Sequence, residues 1–250
     1  MINSSLPKDW RDLQIQVEKI MKESGFIAYS EKDIDTVRGI VNIDVYAEDT
    51  SQRPKTIYLC ECIFWQKAIP KSVVHSFRTV VNDFGANWGL IISSHGFQSG
   101  TFAAAANTNI RLLTWKEFQE LFLERWFENY MQNRLRKENE PLVDYTEPMN
   151  SRVFQKANKL DKKSNQRFSK LREKYRSFAF FALGLYLPLP SILKEDIPSL
   201  PLRRSIEASE TENLPDILLD AVSFRDLLEI ITNEDRKALA EFDDVFGERV

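Results

Sequence analysis

Two acidic side chains stand where they could work together on a phosphodiester. Asp44 lies in the run GIVNIDVY and Glu61 in TIYLCECIFW, both dense in β-branched and aromatic residues. If these runs are neighbouring strands, the carboxylates can converge on a hard divalent cation such as Mg²⁺ or Mn²⁺, which takes oxygen ligands and keeps several waters. A cation held this way can orient a water and stabilise charge developing on a phosphate. The same two residues would equally suit a solvated sheet edge. Side chains alternate along a strand, so Glu61, Ile63 and Trp65 share one face and Cys60, Cys62 and Phe64 the other.

A second kind of chemistry is written in positive charge. Arg152, Lys156, Lys159, Lys163, Arg167, Lys170 and Lys174 recur at spacings of three and four, and are expected to form one basic stripe along a helix spanning 151–176. Such a stripe can lie along phosphates and supply salt-dependent, sequence-independent affinity. It could instead face the chain's own acidic end, because residues 151–191 carry ten basic and two acidic side chains and residues 192–250 seven and fifteen. Arg38, before Gly39, stands at a turn ahead of the Asp44 run. It reads as a contact to a phosphate or as a plain exposed turn residue.

The elements that must position these residues follow from period and punctuation. Trp10, Leu13, Val17, Ile20 and Met21 predict an amphipathic helix over 10–24, stopped by Gly25. Strands are predicted at 27–30, 40–47, 56–65, 88–93 and 110–115, with helices at 71–84 and 97–107 and a further helix from about Lys116. The order α-β-β-β-α-β-α-β implies a mixed sheet with helices on its faces. Beyond it, 151–187 reads as one or two helices, the prolines of 188–202 as a stiff linker, and 214–232 and 234–246 as further helices. The apolar run 178–193 is shorter than a membrane span and is broken by Pro188 and Pro190, which favours a buried core helix. The domain boundary is expected near 120, with 121–250 mainly helical.

An acid on one strand, then Glu-x-Lys on the next, in an α-β-β-β-α-β framework, is the pattern of the PD-(D/E)xK nuclease superfamily, which this chain resembles in all but the lysine, and its Mrr-like branch of restriction endonucleases is the closer match. The stretches that carry the resemblance are LQIQVEKIMKESGF (13–26), TVRGIVNIDVYAED (36–49), IYLCECIFW (57–65) and residues 73–115, about half the chain. The resemblance implies a restriction-endonuclease-like α/β fold and Mg²⁺-dependent cleavage of DNA, of the restriction or phage-defence kind. It also implies that Asp44 and Glu61 are metal ligands and that Gln14 stands beside the metal on the first helix. The family's catalytic lysine would fall at position 63, where this chain has Ile63. A second departure is Ile43 in place of the motif's proline. Lys67 keeps the right parity but lies roughly 13 Å further along an extended strand. On the following helix Lys71, His75, Arg78 and Asn82 share a face, so His75 or Arg78 could supply the missing positive group. The alternative is a nuclease-like domain that binds nucleic acid or assembles subunits without cutting. The expected partners are DNA and a second copy of the chain, a dimer, with no membrane.

The whole-chain balance narrows the field further. Lys and Arg total 34 and Asp and Glu 37, a net charge of −3, which excludes a uniformly basic coat protein but not a local basic surface. Two cysteines, Cys60 and Cys62, are too few for a disulfide framework or a four-thiolate zinc site. Two histidines, His75 and His95, argue against a histidine-rich metal centre. The opening MINSSLPKDW lacks the profile of a secretory leader, so the expected location is cytoplasmic and reducing.

Overall fold

The computed structural model describes residues 1–187, 197–204 and 214–247, in two compact units, Met1–Asn129 and Tyr130–Val250. The first unit begins with helix α1 (Trp10–Glu23), whose N-cap Asp9 accepts a hydrogen bond from the Asp12 N–H at 2.8 Å. Its buried stripe is Leu13, Gln14, Val17, Ile20 and Met21. Strands β1 (Ile27–Thr36), β2 (Gly39–Asp49) and β3 (Thr56–Ile63) follow as an antiparallel meander. Helix α2 (Lys71–Phe84) crosses to β4 (Trp88–Ser93), and α3 (Ser99–Ala105) to β5 (Ile110–Thr114), both added in parallel. Helix α4 (Trp115–Trp126) opens with a Thr114–Glu117 capping box. The sheet order is β1-β2-β3-β4-β5.

Helix α2 sits over one face of the sheet because Val74, Phe77 and Val81 recur on one side of it and meet Leu59, Ile63, Ile91 and Ile110. Gly89 of β4 makes that contact possible: a Cβ there would lie 2.8 Å from Val81 and 2.5 Å from Ile110. Helices α1 and α4 pack against the sheet and against each other. Strand β1 runs six residues past the predicted end at 30. Its polar sequence EKDIDT hides a half-exposed strand that alternation of burial confirms only in part.

The second unit is helical. A π-helical stretch, Phe127–Gln132, contains the division between the units and leads into α5 (Asn133–Thr146). The expected single basic helix is two, α6 (Ser151–Ala157) and α7 (Lys162–Tyr186). The physical reason is Asp161, whose carboxylate accepts from the N–H groups of Lys163 (2.8 Å) and Ser164 (3.1 Å) and starts a new helix. After the short α8 (Asp216–Leu219), α9 (Phe224–Phe246) runs unbroken through the predicted gap at 233, because no Gly or Pro interrupts it before Gly247. Tyr145 of α5 stacks on Phe242 of α9 with ring centroids 4.6 Å apart, and Phe168 of α7 meets the same ring edge-on at 6.1 Å. Among the described residues no helix is long and apolar enough to cross a membrane. Residues 188–196 of the predicted proline linker lie outside the described residues.

Candidate active site

The β1–β2 hairpin changes face in its middle, and the change puts Asp44 where it is. Ser30 of β1 donates to Glu18 of α1 at 2.8 Å, yet Lys32, two residues on, lies over the Tyr46 ring at 3.6 Å, and Ile34 joins the core under α2. Between them Glu31 holds a left-handed conformation, φ 50°. On β2, Ile43 and Tyr46 both enter the α2 core, which strict alternation over three residues would forbid. The β2–β3 ladder runs from Asp49–Thr56 to Val45–Cys60 and stops one step before Asp44 would pair with Glu61. There the Asp44 side chain takes over from the backbone. Its Oδ2 accepts the Cys62 N–H at 2.7 Å, and its Oδ1 accepts Gln14 Nε2 of α1 at 2.6 Å.

Glu61 projects between Leu59 and Ile63, on the face under α2, into a cavity of about 430 Å³ lined by Ile43, Ser72, Val73, Ser76 and Phe77 among others. No hydrogen-bond partner answers its carboxylate among the described residues. Burial raises its pKa to about 7, with the Asp44 charge adding to the rise. Asp44 is also raised, first by burial and then by Glu31, against the opposing hydrogen bonds from Cys62 and Gln14. A pair of desolvated carboxylates with no cation beside them is short of positive charge. The donor set, two carboxylates with one fully unpartnered, fits a hard divalent ion that completes its shell with water. Among the described residues no group of three or more His, Cys, Asp or Glu is placed to hold a metal, which argues against a zinc-type site.

The position expected to hold lysine is apolar in setting as well as in sequence. Ile63 is only 6% exposed and belongs to the core cluster under α2. His75 and Arg78, expected as replacements, are not brought to the carboxylates. The cavity takes the Ser72–Ser76 side of α2, whereas His75 is exposed on another side and Arg78 is half-buried there. Val74, Phe77 and Val81 decide this, since the face they bury fixes which side of the helix looks toward Glu61. Sequence reasoning missed Ser72 and Ser76, and the signal was available in that same apolar spacing. It also missed the Cys62 N–H, which no side-chain motif announces.

The expected nucleic-acid contacts are scattered. Arg38 pairs with Asp83 at 2.8 Å. In the second unit Arg152 pairs with Asp144 at 2.9 Å, Arg167 with Asp244 at 2.6 Å and Lys174 with Glu241 at 2.9 Å. Lys156 and Lys159 lie at or beyond the end of α6, apart from Lys163, Arg167, Lys170 and Lys174, which share one side of α7. The seven residues therefore do not form one continuous stripe. Arg172, unremarked in the sequence, does structural work. It donates to the carbonyls of Tyr145 (3.1 Å) and Glu147 (3.0 Å) at the end of α5.

A mixed sheet carrying helices, with a desolvated Asp–Glu pair where two central strands part, defines a nuclease-like α/β domain. Residues 7–122, a little under half of the chain, match the family model described as restriction endonuclease, the Mrr catalytic type, and it is this family that the first unit is similar to. A crystal structure of a protein of unknown function, AF1548, aligns over 94% of this chain and 98% of its own at 15% identity, with a TM-score of 0.38. Comparison with curated proteins yields no match.

Proposed function

We propose that the chain is a divalent-cation-dependent DNA endonuclease whose chemical step runs without the family's lysine. The observation that carries this reading is Asp44, gripped from α1 by Gln14 and from β3 by the Cys62 N–H, beside an unpartnered Glu61. A carboxylate so held is fixed in orientation before any ligand arrives. Asp44 and Glu61 would hold Mg²⁺, which supplies Lewis-acid stabilisation of the phosphate and a more acidic water. Ser72 and Ser76 line the wall facing Glu61 and can hydrogen-bond a water or a phosphate oxygen there. A role in restriction or phage defence is in keeping with the family of residues 7–122.

The second reading is a nuclease-fold subunit that binds DNA and does not cut it. Ile63 favours it, because neither position 63 nor the lining of the Glu61 cavity supplies a positive group. Nicking of supercoiled plasmid with Mg²⁺ or Mn²⁺ separates the two. The endonuclease reading expects slow cleavage that Asp44→Asn abolishes. Cleavage of equal rate in that variant would point to a contaminant, and no cleavage with retained DNA binding would leave the second reading.

A further inference from the structure

The first unit holds a second cavity, of about 290 Å³, unconnected with the carboxylate pair. Tyr58 lines it, and strand alternation turns Tyr58 to the opposite face of β3 from Glu61, ~10 Å away along the strand. Its walls are aromatic. Phe26, Tyr58 and Phe122 meet edge to face, with ring centroids 5.5 to 6.4 Å apart. Trp88 stands beside them, and the Arg111 guanidinium lies 5.0 Å from its ring centroid.

The two arginines of this cavity are in different situations. Arg125 is committed: it clamps Asp49 with both terminal nitrogens, donates Nε to the Ser24 carbonyl at 2.8 Å, and covers Phe26 at 4.0 Å. Arg111 is exposed and has neither ion pair nor hydrogen bond among the described residues. The cavity thus offers a rigid aromatic slot and one uncommitted, forked positive group at its rim. With Arg125 neutralised by Asp49, the Arg111 guanidinium leaves the rim positive, and its fork suits a phosphate better than a single carboxylate oxygen. A planar ring gains from ring walls what an alkyl chain does not, so the ligand must join a flat ring to an anion. The volume is at the small end for a ligand site and accommodates one such unit, not two.

The geometry points to a binding site for one nucleotide, its base against the half-buried Tyr58 and Trp88 and its phosphate on Arg111, separate from the carboxylate site. Base stacking on aromatic side chains tolerates any base, so the slot selects the nucleotide as a class. The nucleotide can be free in solution or part of a single strand. The site does not depend on whether Asp44 and Glu61 support cleavage.

Calorimetric titration of the full chain with adenosine, adenosine 5′-monophosphate and a 5′-phosphorylated deoxyadenosine hexanucleotide tests this directly. The monophosphate is expected to bind and adenosine to bind at least about tenfold more weakly, since the charge-assisted pair to Arg111 is lost. Arg111→Gln should erase that difference. Leu121→Trp should block binding by filling the mouth, because Leu121 lines the cavity and is 46% exposed, so the change leaves the core alone. Saturation by the hexanucleotide alone, sensitive to both variants, identifies a strand as the source. Saturation by the monophosphate identifies a free nucleotide. Equal affinity for adenosine and its monophosphate, binding unaffected by Arg111→Gln, or no saturation by any of the three at millimolar concentration overturns the inference.

Discussion

Asp235 of α9 is the most exposed weakness of the helical unit, although its side chain is 0% exposed to solvent. Its Oδ1 accepts from Asn139 Nδ2 at 2.9 Å, and Asn139 in turn accepts from the Tyr186 hydroxyl at 3.3 Å, but Oδ2 has no partner. Burial pushes its pKa to about 7, opposed by the Asn139 hydrogen bond and reinforced by the charge of Glu138. The folded state therefore keeps a proton that the unfolded chain has released. Stability from this group is fully present below the unfolded value of 3.8 and is lost as pH rises through about 7. At ~1.36 kcal/mol per pH unit the loss is roughly 4 kcal/mol. Asp235→Asn keeps the acceptor for Asn139 and cannot ionise, but its new amide donors lack partners, which costs about 1–3 kcal/mol. The variant should thus be about 1–3 kcal/mol more stable than wild type near pH 8, and its stability relative to wild type should fall by roughly 3 kcal/mol by pH 5. Urea denaturation of the full chain at several pH values measures the difference between the two proteins, in which other titrating groups cancel. A difference independent of pH would refute the reasoning.

Three further expectations concern the site and the basic surface. Gln14→Ala removes one of the two groups that orient Asp44, and calorimetry with Mn²⁺ should show affinity lower by about 10- to 100-fold, with wild-type affinity as the refuting result. Ile63→Lys puts an ammonium on the strand face of Glu61, and it should raise metal-dependent plasmid cleavage while lowering the melting temperature, since its stem replaces a core residue. A lower melting temperature without faster cleavage would mean that the missing lysine is not what limits the reaction. Lys163→Gln with Lys170→Gln removes two exposed charges from one side of α7, and if DNA lies there the log–log salt slope of binding should flatten by about 1.8. An unchanged slope would show that the helix serves the fold through pairs such as Arg167–Asp244.

The order of strands and helices in the first unit was legible because each element carries its own period and stop. Helix α2 was readable to the residue, with Pro70 before it and Gly85, at φ 78°, after it. The adjacency of Asp44 and Glu61 followed from two short strands joined by a loop. The switch of face at Glu31 and Asp44 did not, because a non-glycine residue at φ 50° leaves no mark in composition. His75 and Arg78 looked suitable because a helical face of polar residues is visible in sequence, while the rotation of that face about the helix axis is set by packing. The break at Asp161 was hidden for a related reason. An acidic cap inside a run of lysines reads as one more charge until its carboxylate is seen holding two backbone N–H groups.

The strands lie in the sheet in the order in which they occur in the chain, and this bears on how the domain is built in time. Each new strand joins an edge that its predecessor has just formed, so no strand has to insert between two already paired. The antiparallel meander β1-β2-β3 closes first on contacts that start at its turns, such as Asp49 with Thr56, whereas the parallel pairings of β4 and β5 join residues such as Tyr58 and Trp88 across a helical crossover and are the slower steps. The groups that grip and neighbour Asp44 all belong to the segment from α1 to β3, the earliest part of the sheet to be synthesised. The roof supplied by α2 arrives afterwards. The carboxylate pair is therefore laid down before the cavity above it is closed, and a nascent chain ending shortly after Ile63 already contains every residue that orients Asp44.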